Sequence, residues 1–125
     1  EIRTKTKKKI IASLGPFNIH EIEPMINEFE PCVDGFELNL SCPNVNGGKT
    51  TAANKPIVEW MDMFKDFTSK KTIVKLPPYL ETGALEEMAE IVIKTRIGAI
   101  GTINSLGNAL VIKGKKPVLA NTWGG

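Results

Sequence analysis

Phe36-Glu37-Leu38-Asn39-Leu40-Ser41-Cys42-Pro43-Asn44 is the stretch on which the reading of this chain turns. Apolar and polar residues alternate from Phe36 to Ser41, the pattern of a strand with two unlike faces. Glu37, Asn39 and Ser41 fall on one face, and Leu38 and Leu40 fall on the other. Pro43 has no N–H to give to a ladder, so the strand stops there. A thiol, Cys42, is left between two amides, Asn39 and Asn44, at the mouth of a buried strand. Packing does not call for such a set. A ligand rich in carbonyl and N–H groups, and a reaction that moves a proton, would.

Outward from this strand the chain alternates strands and helices. Ile10 to Leu14 is a short apolar run closed by Gly15-Pro16, and reads as a buried strand. Ile22, Met25, Ile26 and Phe29 recur at helical spacing. A loop over 44–51 leads to a second helix, with Val58, Met61, Met63, Phe64 and Phe67 as its apolar side. Thr72 to Leu76 is a third strand, stopped by Pro77-Pro78. Ala84 to Lys94 is a third helix and Ala99 to Asn104 a fourth strand. Leu110 to Ile112 and Pro117 to Ala120 flank Lys113-Gly114-Lys115-Lys116 as a hairpin.

Repeats of about 30 residues are βα units, and their strands form a parallel sheet with helices outside it. The expected fold is α/β: four consecutive parallel strands of a (β/α)8 TIM barrel, with helices and a terminal hairpin. A small open α/β sheet is the rival. The chain lacks an initiating Met and stops at Trp123-Gly124-Gly125, so residues 1–125 read as one partial barrel domain of a longer protein.

Composition narrows the function classes. With 42% hydrophobic and 24% charged residues the chain is an ordinary globular one. No apolar run approaches the roughly 20 residues of a membrane span, so no membrane role is expected. A net charge of +2 gives no support to nucleic-acid binding, and Lys5, Lys7, Lys8 and Lys9 read as a solvated approach to the first strand. Cys32 and Cys42 have no metal-ligand or disulfide spacing, and His20 is the only histidine, so no metal is expected. Cys32 reads as a small apolar residue before a turn. Two free thiols suit a reducing, cytoplasmic setting.

The polar residues collect at strand ends. The second strand delivers Asn39, Ser41, Cys42 and Asn44, the third Lys75, and the fourth Asn104 and Ser105. Carboxyl ends of parallel strands are where barrels and open α/β sheets place their active sites. Lys75 lies in an otherwise apolar strand, and a buried ammonium needs a partner. It either pairs with Glu37 on the neighbouring strand or faces an anionic ring such as a reduced flavin. The amides of Asn39, Asn44 and Asn104 each donate and accept, and suit the edge of a pyrimidine-like ring. An ordinary cysteine titrates near pH ~8.5, close enough to neutrality for Cys42 to act as a general base. Two other motifs fail. Gly48-Lys49-Thr50 lacks the P-loop glycine, because Pro43 stands in its place. Asn39-Leu40-Ser41 matches a glycosylation acceptor but lies at a buried strand end.

At these residues the chain resembles the dihydroorotate dehydrogenases, in particular their soluble, cysteine-base group (class 1). Four blocks carry the likeness, in order and spacing: Glu37 to Val45, Val74 to Tyr79, Thr102 to Asn108, and Leu119 to Gly125. The resemblance implies FMN-dependent oxidation of dihydroorotate to orotate in pyrimidine biosynthesis. Cys42 would remove the C5 proton, and Asn39, Asn44, Asn104 and Ser105 would hold the pyrimidine. Asn39, Lys75, Ile103, Gly124 and Gly125 would contact FMN, the glycines through backbone N–H groups at its phosphate. The quinone-linked group uses serine as base, and Cys42 argues against it. Some blocks lean toward the fumarate-using homodimers, and the hairpin leans toward the NAD-linked form with an iron–sulfur partner subunit; a homodimer is the favoured expectation. Rival readings are a tRNA-dihydrouridine synthase, another pyrimidine-oxidising FMN barrel, or a non-catalytic barrel fragment.

Overall fold

The computed structural model describes residues 2–40, 57–78, 83–102 and 111–118. Four strands, β1 (Ile11–Leu14), β2 (Gly35–Asn39), β3 (Lys71–Lys75) and β4 (Ala99–Gly101), form one sheet in sequence order. All three pairings are parallel. Parallel neighbours need a crossover, and helices supply it. A four-residue helix, α1 (Ile2–Lys5), precedes β1 and has no counterpart in the expectations. Then α2 (Ile22–Phe29) joins β1 to β2, α3 (Ile57–Asp66) precedes β3, and α4 (Ala84–Lys94) joins β3 to β4. A short 3-10 turn, Ile19–Glu21, leads into α2, with the Asn18 side chain accepting from the His20 N–H.

The core lies between the sheet and these helices. Phe36, Leu38 and Leu40 point into it from β2 and its end, and Val74 and Leu76 from β3 and its end; all five are buried. Ile22 and Ile26 of α2, one turn apart, meet them, as do Met88 and Val92 of α4. The Phe36 and Phe64 rings pack edge to face, with centroids 6.5 Å apart. In α3 the buried residues are Trp60, Met61 and Phe64, while Val58, expected on the apolar side, is 41% exposed. Six of the eight residues from Ile57 to Phe64 are apolar, Glu59 and Asp62 being the exceptions, so the apolar stripe is too broad to say that Val58 lies at its exposed margin. Cys32 is exposed at the turn after α2 instead of packing as an apolar residue.

Side chains tie down the amino-terminal end of the sheet. The Asp34 carboxylate accepts from the Ile10 N–H (2.9 Å) and from Lys9 Nζ (3.2 Å). Lys70 Nζ donates to the Val33 carbonyl (2.6 Å) and to the carbonyl of Glu30, at the end of α2. The Thr68 hydroxyl donates to the Glu30 carboxylate at 2.9 Å. The Lys70 ammonium thereby satisfies the Glu30 carbonyl, a helix-end acceptor left without an intrahelical partner.

The sheet curls, and one side chain measures the curl. In a flat sheet β1 and β4 would stand about 14 Å apart, three strand spacings of ~4.8 Å. Yet one oxygen of the Glu37 carboxylate accepts from Ser13 Oγ on β1 at 2.6 Å. The other oxygen lies 3.6 Å from where a Cβ on Gly101 of β4 would sit. Only a concave face brings both within reach of one carboxylate. Four parallel strands, curled, with helices on the convex side, are a portion of a (β/α)8 barrel.

Beyond the sheet, β5 (Ile112–Lys113) and β6 (Lys116–Pro117) pair antiparallel, turning at Gly114 with φ +68°. This is the expected hairpin, with Lys113 and Lys116 in its ladder. No helix among the described residues is long and apolar enough to cross a membrane.

Candidate active site

Alternation along the strands sorts each one into a packing face and a concave face. On β2 the concave residues are Glu37 and Asn39, on β3 Ile73 and Lys75, on β1 Ser13, and on β4 Gly101. The parallel register sets Asn39 opposite Lys75 and Lys75 opposite Gly101. Three successive strands therefore end at one level. Their ladder continues past this row, with the Leu40 N–H donating to the Lys75 carbonyl (3.3 Å) and the Leu76 N–H to the Gly101 carbonyl (3.0 Å).

Asn39 and Lys75 are both half-buried. Lys75 is where the sequence places it, on the concave face two residues before Pro77. It makes no ion pair with Glu37, whose carboxylate turns to Ser13 instead. Among the described residues the Lys75 ammonium has no carboxylate within ion-pair distance, so it is available to an anionic or carbonyl-bearing ligand. Gly101 keeps the wall of the next strand low at this level: a Cβ there would meet Glu37 Oε2, Lys75 Cα and the Val74 carbonyl at 3.6 to 3.7 Å. A positive charge, an amide and an open strand end share one rim.

Of the residues expected at the site, the structure brings Asn39 and Lys75 together. Cys42, Asn44, Ile103, Asn104, Ser105, Gly124 and Gly125 lie outside the described residues. Ser13, Glu37 and Gly101 were not among the expected site residues. Gly101 did carry a signal, because a glycine inside a strand marks a close approach or an opening. A cavity of about 360 Å³ also opens on the concave face, lined by Lys9, Ile11, Asp34, Gly35, Lys71 and Ile73. It lies at the amino-terminal end, away from the Asn39–Lys75 row, and belongs to the inside of the curled sheet. Among the described residues no group of three His, Cys, Asp or Glu side chains is placed to hold a metal ion.

A family model described as dihydroorotate dehydrogenase matches residues 1–125. Curated relatives include proteins named dihydroorotate dehydrogenase B (NAD(+)), catalytic subunit, from several organisms. The one from Pyrococcus abyssi is 37% identical over 122 residues, covering 93% of this chain and 39% of the relative. That from Oceanobacillus iheyensis is 32% identical over 126 residues, with coverages of 97% and 41%. That from Methanocaldococcus jannaschii is 31% identical over 122 residues, with coverages of 94% and 39%. The chain thus spans about two fifths of the length of these relatives.

Proposed function

The chain belongs to the dihydroorotate dehydrogenase family, and from that premise we propose that it forms part of an FMN-dependent enzyme oxidising dihydroorotate to orotate. The observation that carries this reading is the row Asn39–Lys75–Gly101, a cation and an amide at one level of a barrel rim. The row suits FMN on its chemistry. A lysine ammonium free of carboxylate partners complements a ring system whose carbonyl edge gains negative charge on reduction. The amide of Asn39 beside it can donate and accept along the same edge.

FMN, when bound, supplies the acceptor for the hydride that leaves C6 of the substrate. The remaining work falls to this chain's residues. Cys42 takes the C5 proton as general base. Asn39, Asn44 and Asn104, with Ser105, hold the pyrimidine by its imide and carbonyl groups, which fixes C5 toward the thiol. Lys75 would hold positive charge at the cofactor's edge, and Ile103 would contact the cofactor. The N–H groups of Gly124 and Gly125 serve the phosphate. The names of the relatives favour the NAD-linked form, working with a partner subunit, over the fumarate-using homodimer that several sequence blocks suggested.

Anaerobic mixing of the full-length protein with dihydroorotate tests this. The yellow absorbance should bleach, and NAD should restore it in the presence of the partner subunit, with fumarate ineffective. Cys42→Ala should slow bleaching at least ~100-fold, the scale of a lost general base. Bleaching at the wild-type rate would remove Cys42 from its role. A colourless protein that never binds flavin would overturn the reading as a whole.

A further inference from the structure

We propose that Glu37 is the counter-charge of Lys75, held in place by Ser13 and given room by Gly101, and that it sets how strongly Lys75 favours the reduced form of the bound cofactor. The inference rests on the FMN reading above and adds a residue that the reading does not use. Glu37 points to the concave face, although the strand around it is apolar and its two neighbours, Phe36 and Leu38, are buried. Ser13 holds the carboxylate, donating to Oε1 at 2.6 Å from the strand on one side.

The second oxygen, Oε2, is directed the other way, toward β4. It lies 3.6 Å from the Cβ position of residue 101, and the same point is 3.7 Å from Lys75 Cα. The register makes Glu37 and Lys75 diagonal neighbours on one face of adjacent strands, since Glu37 pairs with Ile73 and Lys75 with Asn39. The other lysine on this face, Lys71, pairs in register with Gly35, at the opposite end of the strands. Lys9 is engaged by Asp34. Lys75 is the cation that Glu37 addresses.

The two side chains leave the same face of adjacent strands, two residues apart in register, without closing into an ion pair. Charges closer than a Debye length of ~8 Å still feel one another, more so away from bulk water. The ammonium keeps its donors for a ligand, while the carboxylate offsets part of its charge. Glu37 is thus a tuning residue that acts through the field at the Lys75 site, not a group that touches substrate. Gly101 is part of the device, because a side chain longer than a methyl group there would meet Oε2.

The midpoint potential of the bound flavin in the full-length holoenzyme tests this. Glu37→Gln keeps the shape and an acceptor for Ser13 while removing the charge. It should favour the reduced flavin by about tenfold, near 30 mV more positive for a two-electron couple. Lys75→Met should move the potential the other way, and the double variant should fall between the two single ones. A role of Glu37 in packing alone would leave the potential of the folded Glu37→Gln enzyme unmoved. That result, or a negative shift, in a protein that binds flavin overturns the inference and leaves the FMN reading standing. A wild-type protein that binds no flavin overturns both.

Discussion

The two faces of β2 and β3 differ at every second residue, and the difference separates stability from chemistry. Toward the helices the strands present Phe36, Leu38, Thr72 and Val74, all buried. Toward the concave side they present Glu37, Asn39, Ile73 and Lys75, all half-buried. Of the first set, Phe36, Leu38 and Val74 share one buried cluster with Ile26, Met61 and Phe64. The second set carries the polar atoms, with Glu37 held by Ser13 and Lys75 without a carboxylate partner among the described residues. A strand one residue out of register would exchange the two sets and lose both properties.

Substitutions on each face should break this contrast in opposite ways. Phe36→Ala should have the largest effect on folding, costing ~3–5 kcal/mol by leaving a cavity against Phe64. Denaturant unfolding of the full-length protein would measure it, and flavin affinity per folded molecule should be unchanged. Next, Lys70→Met, at the tied end of the sheet, should cost ~1–3 kcal/mol, because the Glu30 and Val33 carbonyls lose their donor. Asn39→Ala, on the concave face, should leave unfolding within ~1 kcal/mol but slow the anaerobic bleaching about 10–100-fold, the effect of lost hydrogen bonds to the ligand. The smallest effect belongs to Thr72→Val. Thr72 Oγ1 is buried without a partner among the described residues, so its removal should be neutral or stabilise by up to ~1 kcal/mol in thermal melts.

The packing face was legible because it follows from period alone. The alternation of Phe36, Leu38 and Leu40 needs no partner to be read, and the spacing of Ile22 with Ile26 is equally local. Trp60 and Val58 were not separable, since α3 is apolar on more than one side and the sheet decides which side is covered. The concave face was legible in part. Asn39 and Lys75 stand out as polar residues at strand ends, and the register joins them. Ser13 did not stand out, and Gly101 stood out only as a glycine within a strand, because their meaning depends on curvature that draws β1 and β4 toward one carboxylate. Such an arrangement is non-local and no window of sequence contains it. The Glu37–Lys75 ion pair, one of two readings of the sequence, gives way for the same reason: Ser13 competes for the carboxylate from across the curl.

The affinity of the full-length protein for FMN, with Lys75 intact and replaced by Met, decides whether the concave ends of these strands hold the cofactor. Loss of a charged hydrogen-bond donor is worth ~1.5–3 kcal/mol, so calorimetric titration of the Lys75→Met apoprotein should show binding at least ~10-fold weaker with unchanged thermal stability. Equal affinities in the two proteins would contradict the assignment of this rim.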